Sequence, residues 1–342
     1  MMLNPFNNDA FGLVQMTESI NIFPNMYGMI QKMGLFADVG IRTTTALIER
    51  RNGILTLIPS VPQGGAPAVN VSAKRDLVAI PMPHIPLTDM ILPNDVQGLR
   101  AFGTENVLET IDNLMAVRLA EMSRKHDITL EYLRMGALKG MVIDGDGSTV
   151  LANLFSVFGV TQKVINIAFG TATTDIAGAM VGIKRYFEDN LHGETMSSVY
   201  VLSSPEFWDA LISHPKVQAA YLYWINAMGI SPLRDDLRLG GFTFQGVTFV
   251  EYRGQASLPG VGGTSLKFIP PYEAIAIPLG TTNVFKTYYA PANFNETVNT
   301  IGLPKYAKQQ ERDFQQGWDL WTESNPLPIA TRPDLIVRVT LT

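Results

Sequence analysis

The sequence predicts an α+β fold with long extended limbs, and three observations carry that prediction. One strong helix pattern fills residues 104–140. The stretch before it, 41–98, reads as extended chain without a helix. Beyond about residue 175, short helices and strands alternate and the chain ends on a strand pattern.

Taken in order, residues 1–40 scatter Phe6, Phe11, Ile20, Ile22, Phe23, Met26, Met29 and Met33 among Asn, Gly and Pro. Such a segment cannot close a core alone, so it reads either as a loose terminus or, on its density of Phe and Met, as an arm laid on a neighbour. Next, Ala46–Glu49 and Ile54–Ile58 are strand candidates flanking the turn-prone Arg51-Asn52-Gly53. Residues 59–67, PSVPQGGAP, are too rich in Pro and Gly for regular structure. Val69–Val71 and Leu77–Pro81 resume extended character, and the Pro alternation through Pro81, Pro83 and Pro86 enforces it. This pattern predicts a projecting β-hairpin, which is marginal without a partner surface.

In the helix, Val107, Leu108, Ile111, Leu114, Met115, Leu119 and Met122 recur at intervals of three and four. Thr104 is placed to cap its start and Gly140 to end it; the pattern either runs on as one helix of about 37 residues, ~55 Å long, or breaks at Asp127 and Thr129. No heptads are sustained, so the element reads as a strut and not a coiled coil. Met141–Ile143 and Thr149–Phe155 flank the hairpin turn Asp144-Gly145-Asp146-Gly147. Helices are expected at Ile176–Asn190, Pro205–Ser213 and Val217–Trp224. Strands are expected at Ser198–Leu202, Ala274–Pro278 and Arg332–Thr342, with a hairpin of Phe242–Phe244 and Val247–Tyr252 around Gln245-Gly246.

Of the 342 residues, 46% are hydrophobic and only 17% charged, which suits a real core and points to apolar surface covered by other chains. The net charge of −5 and the lack of a basic stripe argue against sequence-specific DNA binding. Without cysteine there is neither disulfide nor thiolate metal site, which fits a reducing compartment. No apolar run reaches ~18 residues, so no membrane span is expected. Nor does the N-terminus read as a secretory signal, so the chain is expected in cytosol.

Candidate chemistry is sparse. Ser213-His214-Pro215-Lys216 matches an S-x-x-K string, but Pro215 breaks the helical turn that would bring Ser213 and Lys216 together. The Asp144–Ser148 stretch begins like a calcium loop, yet Thr149 and Phe155 stand where Gly and Glu are needed. His84, His126, His192 and His214 show no ligand spacing. Gly240-Gly241 precedes a strand and does not open a helix, so it is no phosphate cradle. Asp235-Asp236 and Glu311-Arg312-Asp313 read as charged surface. No catalytic, cofactor-binding or metal residue is assigned, and no enzyme activity is expected.

Five segments together resemble the capsid protein E family of lambda-type tailed-phage major capsid proteins. They are residues 95–103 (DVQGLRAFG), 133–140 (LRMGALKG), 205–217 (PEFWDALISHPKV), 242–254 (FTFQGVTFVEYRG) and the C-terminal stretch from Lys286. They fall in family order from residue 95 to the end, while the first 94 residues match in layout more than in wording. The resemblance implies the HK97-type capsid fold: an N-terminal arm (1–40), an extended β-hairpin loop (41–94), a peripheral domain with a long spine helix and hairpin (95–165), an axial domain (166–280) and a C-terminal return to the peripheral domain (281–342). It implies hexamers and pentamers building an icosahedral head around the genome, in the virion, with assembly in host cytoplasm. Scaffolding, decoration and portal proteins are the further partners it implies, with no cofactor and no membrane.

Within the loop, residues 59–75 are expected to clamp a neighbouring subunit, with contacts at Pro62, Gly64, Gly65, Lys74 and Arg75. Gly40, Gly53, Gly64 and Gly65 are candidate hinges. Some relatives cross-link a Lys to an Asn with help from a Glu, but no motif marks such a pair here. Two rival readings stand beside the capsid: a cellular cargo compartment using the same fold, and a soluble serine hydrolase centred on Ser213 and Lys216.

Overall fold

A computed structural model describes residues 28–51, 75–97, 111–191, 194–220, 241–258, 265–281 and 284–341. The chain divides into two compact units. The first takes Met1–Ala46, Pro81–Arg134 and Lys286–Ile329; the second takes Leu47–Ile80, Met135–Phe285 and Ala330–Thr342.

The first unit is built on the long helix, described over Ile111–Lys139 and belonging to this unit up to Arg134. Asp127 and Thr129 do not interrupt it. The Thr129 hydroxyl donates back to the Lys125 carbonyl at 2.8 Å, and Asp127 finds a cation, so neither competes with the helical backbone. Thr104 lies outside the described residues, whereas Gly140 ends the helix with φ +79° as its position predicts. A three-stranded antiparallel sheet, ordered Tyr306–Glu311, Trp318–Ser324, Ile85–Ile91, lays one face on the helix. Ala307, Leu320 and Ile91 from that face meet Met115, Leu119 and Met122 from the helix. The strand Ile85–Ile91, read from sequence as part of the extended loop, thus pairs with Trp318–Ser324.

A second three-stranded sheet is ordered Ala37–Gly40, Phe285–Tyr289, Pro326–Ala330. Pro326 and Pro328 are tolerated there because their strand lies at the edge. Gly40, expected as a hinge, is instead a point of close approach. A side chain on Gly40 would strike the Gly302 carbonyl and the Ile301 side chain, and Gly302 donates its N–H to Ile41 O at 2.9 Å. Its missing Cβ serves packing and not freedom.

The second unit holds a six-stranded mixed sheet ordered Lys163–Ile167, Val337–Leu341, Glu273–Leu279, Ser198–Ser203, Val247–Glu251, Phe242–Phe244. The helix Ile176–Asn190 buries Ile176, Met180, Ile183 and Phe187 at spacings that follow the helical repeat, and Asp175 caps it by accepting from Gly178 N. The helix Pro205–Ser213 packs Phe207, Trp208 and Leu211 inward, opened by Ser204 as cap and Pro205 in its first turn. The hairpin turn carries Gln245 and Gly246 at φ +52° and +75°. Two expected elements differ in detail. Residues Leu154–Phe158 form a short helix capped by Asn153, so the strand before it stops at Asn153. The final strand is Val337–Leu341, preceded by a 3-10 turn at Pro333–Leu335 that Pro333 starts.

Of the extended loop, strands Thr45–Arg51 and Arg75–Pro81 pair as a two-stranded ribbon. Arg51 therefore belongs to a strand and not to the turn. Ala46 and Ile48 are buried while Leu47 between them is exposed, the period-two alternation of a half-buried strand.

Candidate assembly surface

The first unit positions its surface through a line of buried polar groups along the helix. Ser123, His126, Asp127, Glu131 and Arg134 are all buried, at successive spacings of three, one, four and three. Together they reach several separate pieces of chain. Lys305 Nζ donates to Asp127 Oδ1 at 2.7 Å and to Ser123 Oγ at 2.6 Å, beside the sheet strand it precedes. His126 Nε2 lies 3.0 Å from Thr322 Oγ1 on the central strand. Burial, aided by the nearby Lys305 charge, lowers the His126 pKa to about 4. Glu131 accepts from Ile30 N at 3.0 Å. Arg134 donates to Thr287 Oγ1 at 3.1 Å and to Asp38 Oδ1 at 2.7 Å, and its guanidinium lies over the Phe36 ring. The same site buries Tyr289, whose hydroxyl donates to Asp38 and whose pKa burial raises.

A fully buried carboxylate, Glu323, ties the far end of the central strand to its neighbours. It accepts from Asn293 N at 3.0 Å and Asn325 Nδ2 at 2.7 Å, and His84 Nδ1 lies 3.1 Å away. These bonds fix the sheet on the helix with one face turned outward.

That outer face carries Thr88, Met90, Lys308, Asp319 and Trp321, which line a cleft of about 740 Å³ together with Phe294. Lys308 sits over the Phe294 ring, 5.4 Å from its centre, and pairs with Glu296 at 2.9 Å. Where the hairpin turns between Glu311 and Trp318, Phe314 is 92% exposed. Val298, Ile301 and Leu303 form a second exposed apolar run in the loop before Tyr306. On the ribbon, Leu47 and Leu77 are exposed as well.

Of the contact residues expected from sequence, Pro62, Gly64, Gly65 and Lys74 lie outside the described residues, as do Gly53 and His192. Arg75 opens the strand Arg75–Pro81, and its side chain is likewise outside the description. The hydrolase pair is taken apart by its own hydrogen bonds. Ser213 Oγ donates to Ala210 O at 3.2 Å, and Lys216 Nζ donates to Thr173 O at 2.6 Å. The helix ends at Ser213 with His214 extended and a new helical segment starting at Pro215. Asp146 spends its carboxylate on Ser148 N and on Thr149 N and Oγ1, which lowers its pKa to about 2 and leaves a turn in place of a calcium loop. Among the described residues no group of three His, Asp or Glu is placed to hold a metal. Nor is any described helix long and apolar enough to cross a membrane.

Sequence reasoning missed Met90, Phe314 and Trp321. Glu311-Arg312-Asp313 read as charged surface, and the aromatic next to it went unnoticed. The available signal was a Phe between charged and Gln residues in a strand connection, where burial is not expected.

Residues 12–341 match the family described as phage major capsid protein E. The chain belongs to that family. The major capsid protein of Pseudomonas phage KPP10 is 30% identical over 98% of this chain and 98% of its own length. That of Salmonella phage Felix O1 is 29% identical over 99% and 98%. Among solved structures, the mature capsid of bacteriophage PhiM1 matches all of this chain and 92% of its own with a TM-score of 0.56 at 16% identity. The capsid of cyanophage P-SCSP1u matches 90% and 86% with a TM-score of 0.51 at 11% identity. The fold is the HK97 type expected from the resemblance. This capsid E family member is a structural protein of the phage virion, a subunit of a multimeric shell, and the phage reading prevails over the cargo-compartment one.

Proposed function

We propose that copies of this chain assemble as hexamers and pentamers into an icosahedral head around the phage genome, by non-covalent contacts and without catalysis. The observation that carries this is alignment to two phage major capsid proteins across almost the whole length of each chain. Residues 1–40 act as the arm and the ribbon of Thr45–Arg51 and Arg75–Pro81 as the extended loop; the first unit, which takes in the strand Ile85–Ile91, is the peripheral domain, and the second, which takes in the strands Lys163–Ile167 and Val337–Leu341, is the axial domain. In support, the ribbon of Thr45–Arg51 and Arg75–Pro81 leaves Leu47 and Leu77 exposed, as an element meant for a neighbour would. Subunits are made and assembled in host cytoplasm, with scaffolding, decoration and portal proteins as heterologous partners. The enclosed DNA is not read by sequence, because a net charge of −5 gives no basic footprint.

The loop tip is proposed to clamp a neighbour through Pro62, Gly64, Gly65, Lys74 and Arg75. Deleting residues 62–68 is expected to leave a folded, soluble subunit that forms no shells in negative-stain images. Normal particles from that deletion would remove the clamp from the mechanism.

A further inference from the structure

Phe314 is the most exposed large apolar residue described in the chain, at 92%. It is held out by an awkward backbone. Phe314 and Gln315 are consecutive non-glycine residues at φ +57° and +56°, and Gly317 follows at +128°. L-residues adopt the left-handed region reluctantly, and two in succession with a bulky ring in front is a conformation that a flexible turn would abandon. The base of the turn is fixed instead. Arg312 N donates to Gly317 O at 3.0 Å, and Arg312 Nε lies 3.4 Å from Asp319 Oδ1. A side chain on Gly317 would collide with the Ile91 carbonyl, so the turn is also seated against the neighbouring strand.

The same sheet presents a receptor for such a ring. The cleft of about 740 Å³ on its outer face is lined by Trp321, Met90 and Phe294, with Lys308, Asp89 and Asp319 as its charged members. Trp321 and Met90 remain 40% and 49% exposed, so the cleft is open. Trp, Met and Phe offer the aromatic and thioether surfaces that favour an inserted phenyl ring.

Because Phe314 is exposed, it does not occupy the cleft of its own chain. We infer that the Phe314 turn of one subunit inserts into the Met90–Phe294–Trp321 cleft of a second copy. This contact rests on the reading that copies of this chain associate. Finger and receptor are different patches of one surface, so the contact is heterologous, and repetition about a rotation axis closes a ring of subunits. A buried aromatic anchor in a pocket is the kind of contact that dominates an interface.

The test places p-benzoylphenylalanine at position 314 of the full chain and irradiates assembled particles. Covalent dimers are expected, with adducts on peptides of a second copy that carry Met90, Phe294 or Trp321. Adducts elsewhere, or none in intact particles, overturn the inference. A second variant separates assembly from folding. Phe314→Gly relieves the left-handed backbone, so the free subunit should melt at the same temperature or higher while particle yield falls roughly tenfold or more. Undiminished yield from Phe314→Gly, with unaltered wild-type particles beside it, removes the finger alone. A wild-type chain that sediments only as monomer removes the assembly reading and the finger with it.

Discussion

Along the long helix, the first unit buries Ser123, His126, Asp127, Glu131 and Arg134, which together find partners on several separate segments. Around the six-stranded sheet, the second unit buries Phe187, Phe207, Trp208, Phe249 and Phe268, with polar groups confined mostly to helix starts and strand ends. The two interiors solve different problems. An apolar core holds through area removed from water and tolerates small shifts in direction. A paired polar interior holds only in one arrangement, because an abandoned partner becomes a buried unsatisfied charge. The first unit gathers segments far apart in sequence, from Ile30, Asp38, Thr287, Lys305 and Thr322, and directional bonds define where each must lie. Stability in this unit therefore depends on charge state, whereas that of the second should not.

The comparison can be broken at three points. Phe249→Ala, in the second unit, should cost about 4 kcal/mol by removing a fully buried ring. Its denaturant midpoint should shift equally at pH 7 and pH 5, and a pH-dependent shift would blur the contrast. Lys305→Met should cost about 3 kcal/mol, because it strands Asp127 and Ser123 in the interior. Adding Asp127→Leu should restore most of that loss in chemical denaturation, and failure to recover would mean that the pair contributes more than mutual satisfaction.

The smallest effect is the most diagnostic. His126 in the fold stays neutral down to about pH 4, while in the unfolded chain it takes a proton near 6.5. Between these values the unfolded state binds more protons, so stability falls as pH falls. The loss should be about 2 kcal/mol between pH 7 and pH 5, and should level off below pH 4. His126→Asn should flatten that slope, and an unchanged slope would transfer the dependence to another group.

Legibility in the sequence followed how local each signal was. Ile176–Asn190 and Pro205–Ser213 were readable because Asp175, Ser204 and Pro205 sit beside the residues they cap, and their apolar spacing lies on one helix. The hairpin at Gln245-Gly246 was readable for the same reason. The helix through Asp127 was misjudged as interruptible because its compensating cation, Lys305, lies far along the chain. The strand Ile85–Ile91 read only as extended, since its pairing with Trp318–Ser324 has no local mark. Phe314 and the cleft at Trp321 were not legible, because only strand pairing sets which side of Trp318–Ser324 faces outward, and the Pro-Gly loop tip read from sequence lies outside the described residues.

Composition, helical periodicity and turn chemistry by themselves determined the class of fold and most element positions, and the wording of five segments in family order carried the separate resemblance to the capsid E family. These properties depend on residues within a few positions of one another. Only the tertiary structure decided which polar groups are buried, that Gly40 is a tight crossing and not a hinge, and that an aromatic finger and an open aromatic cleft share one sheet. Those facts arise from contacts between distant segments, and their cost or gain is set by the partner that folding brings alongside.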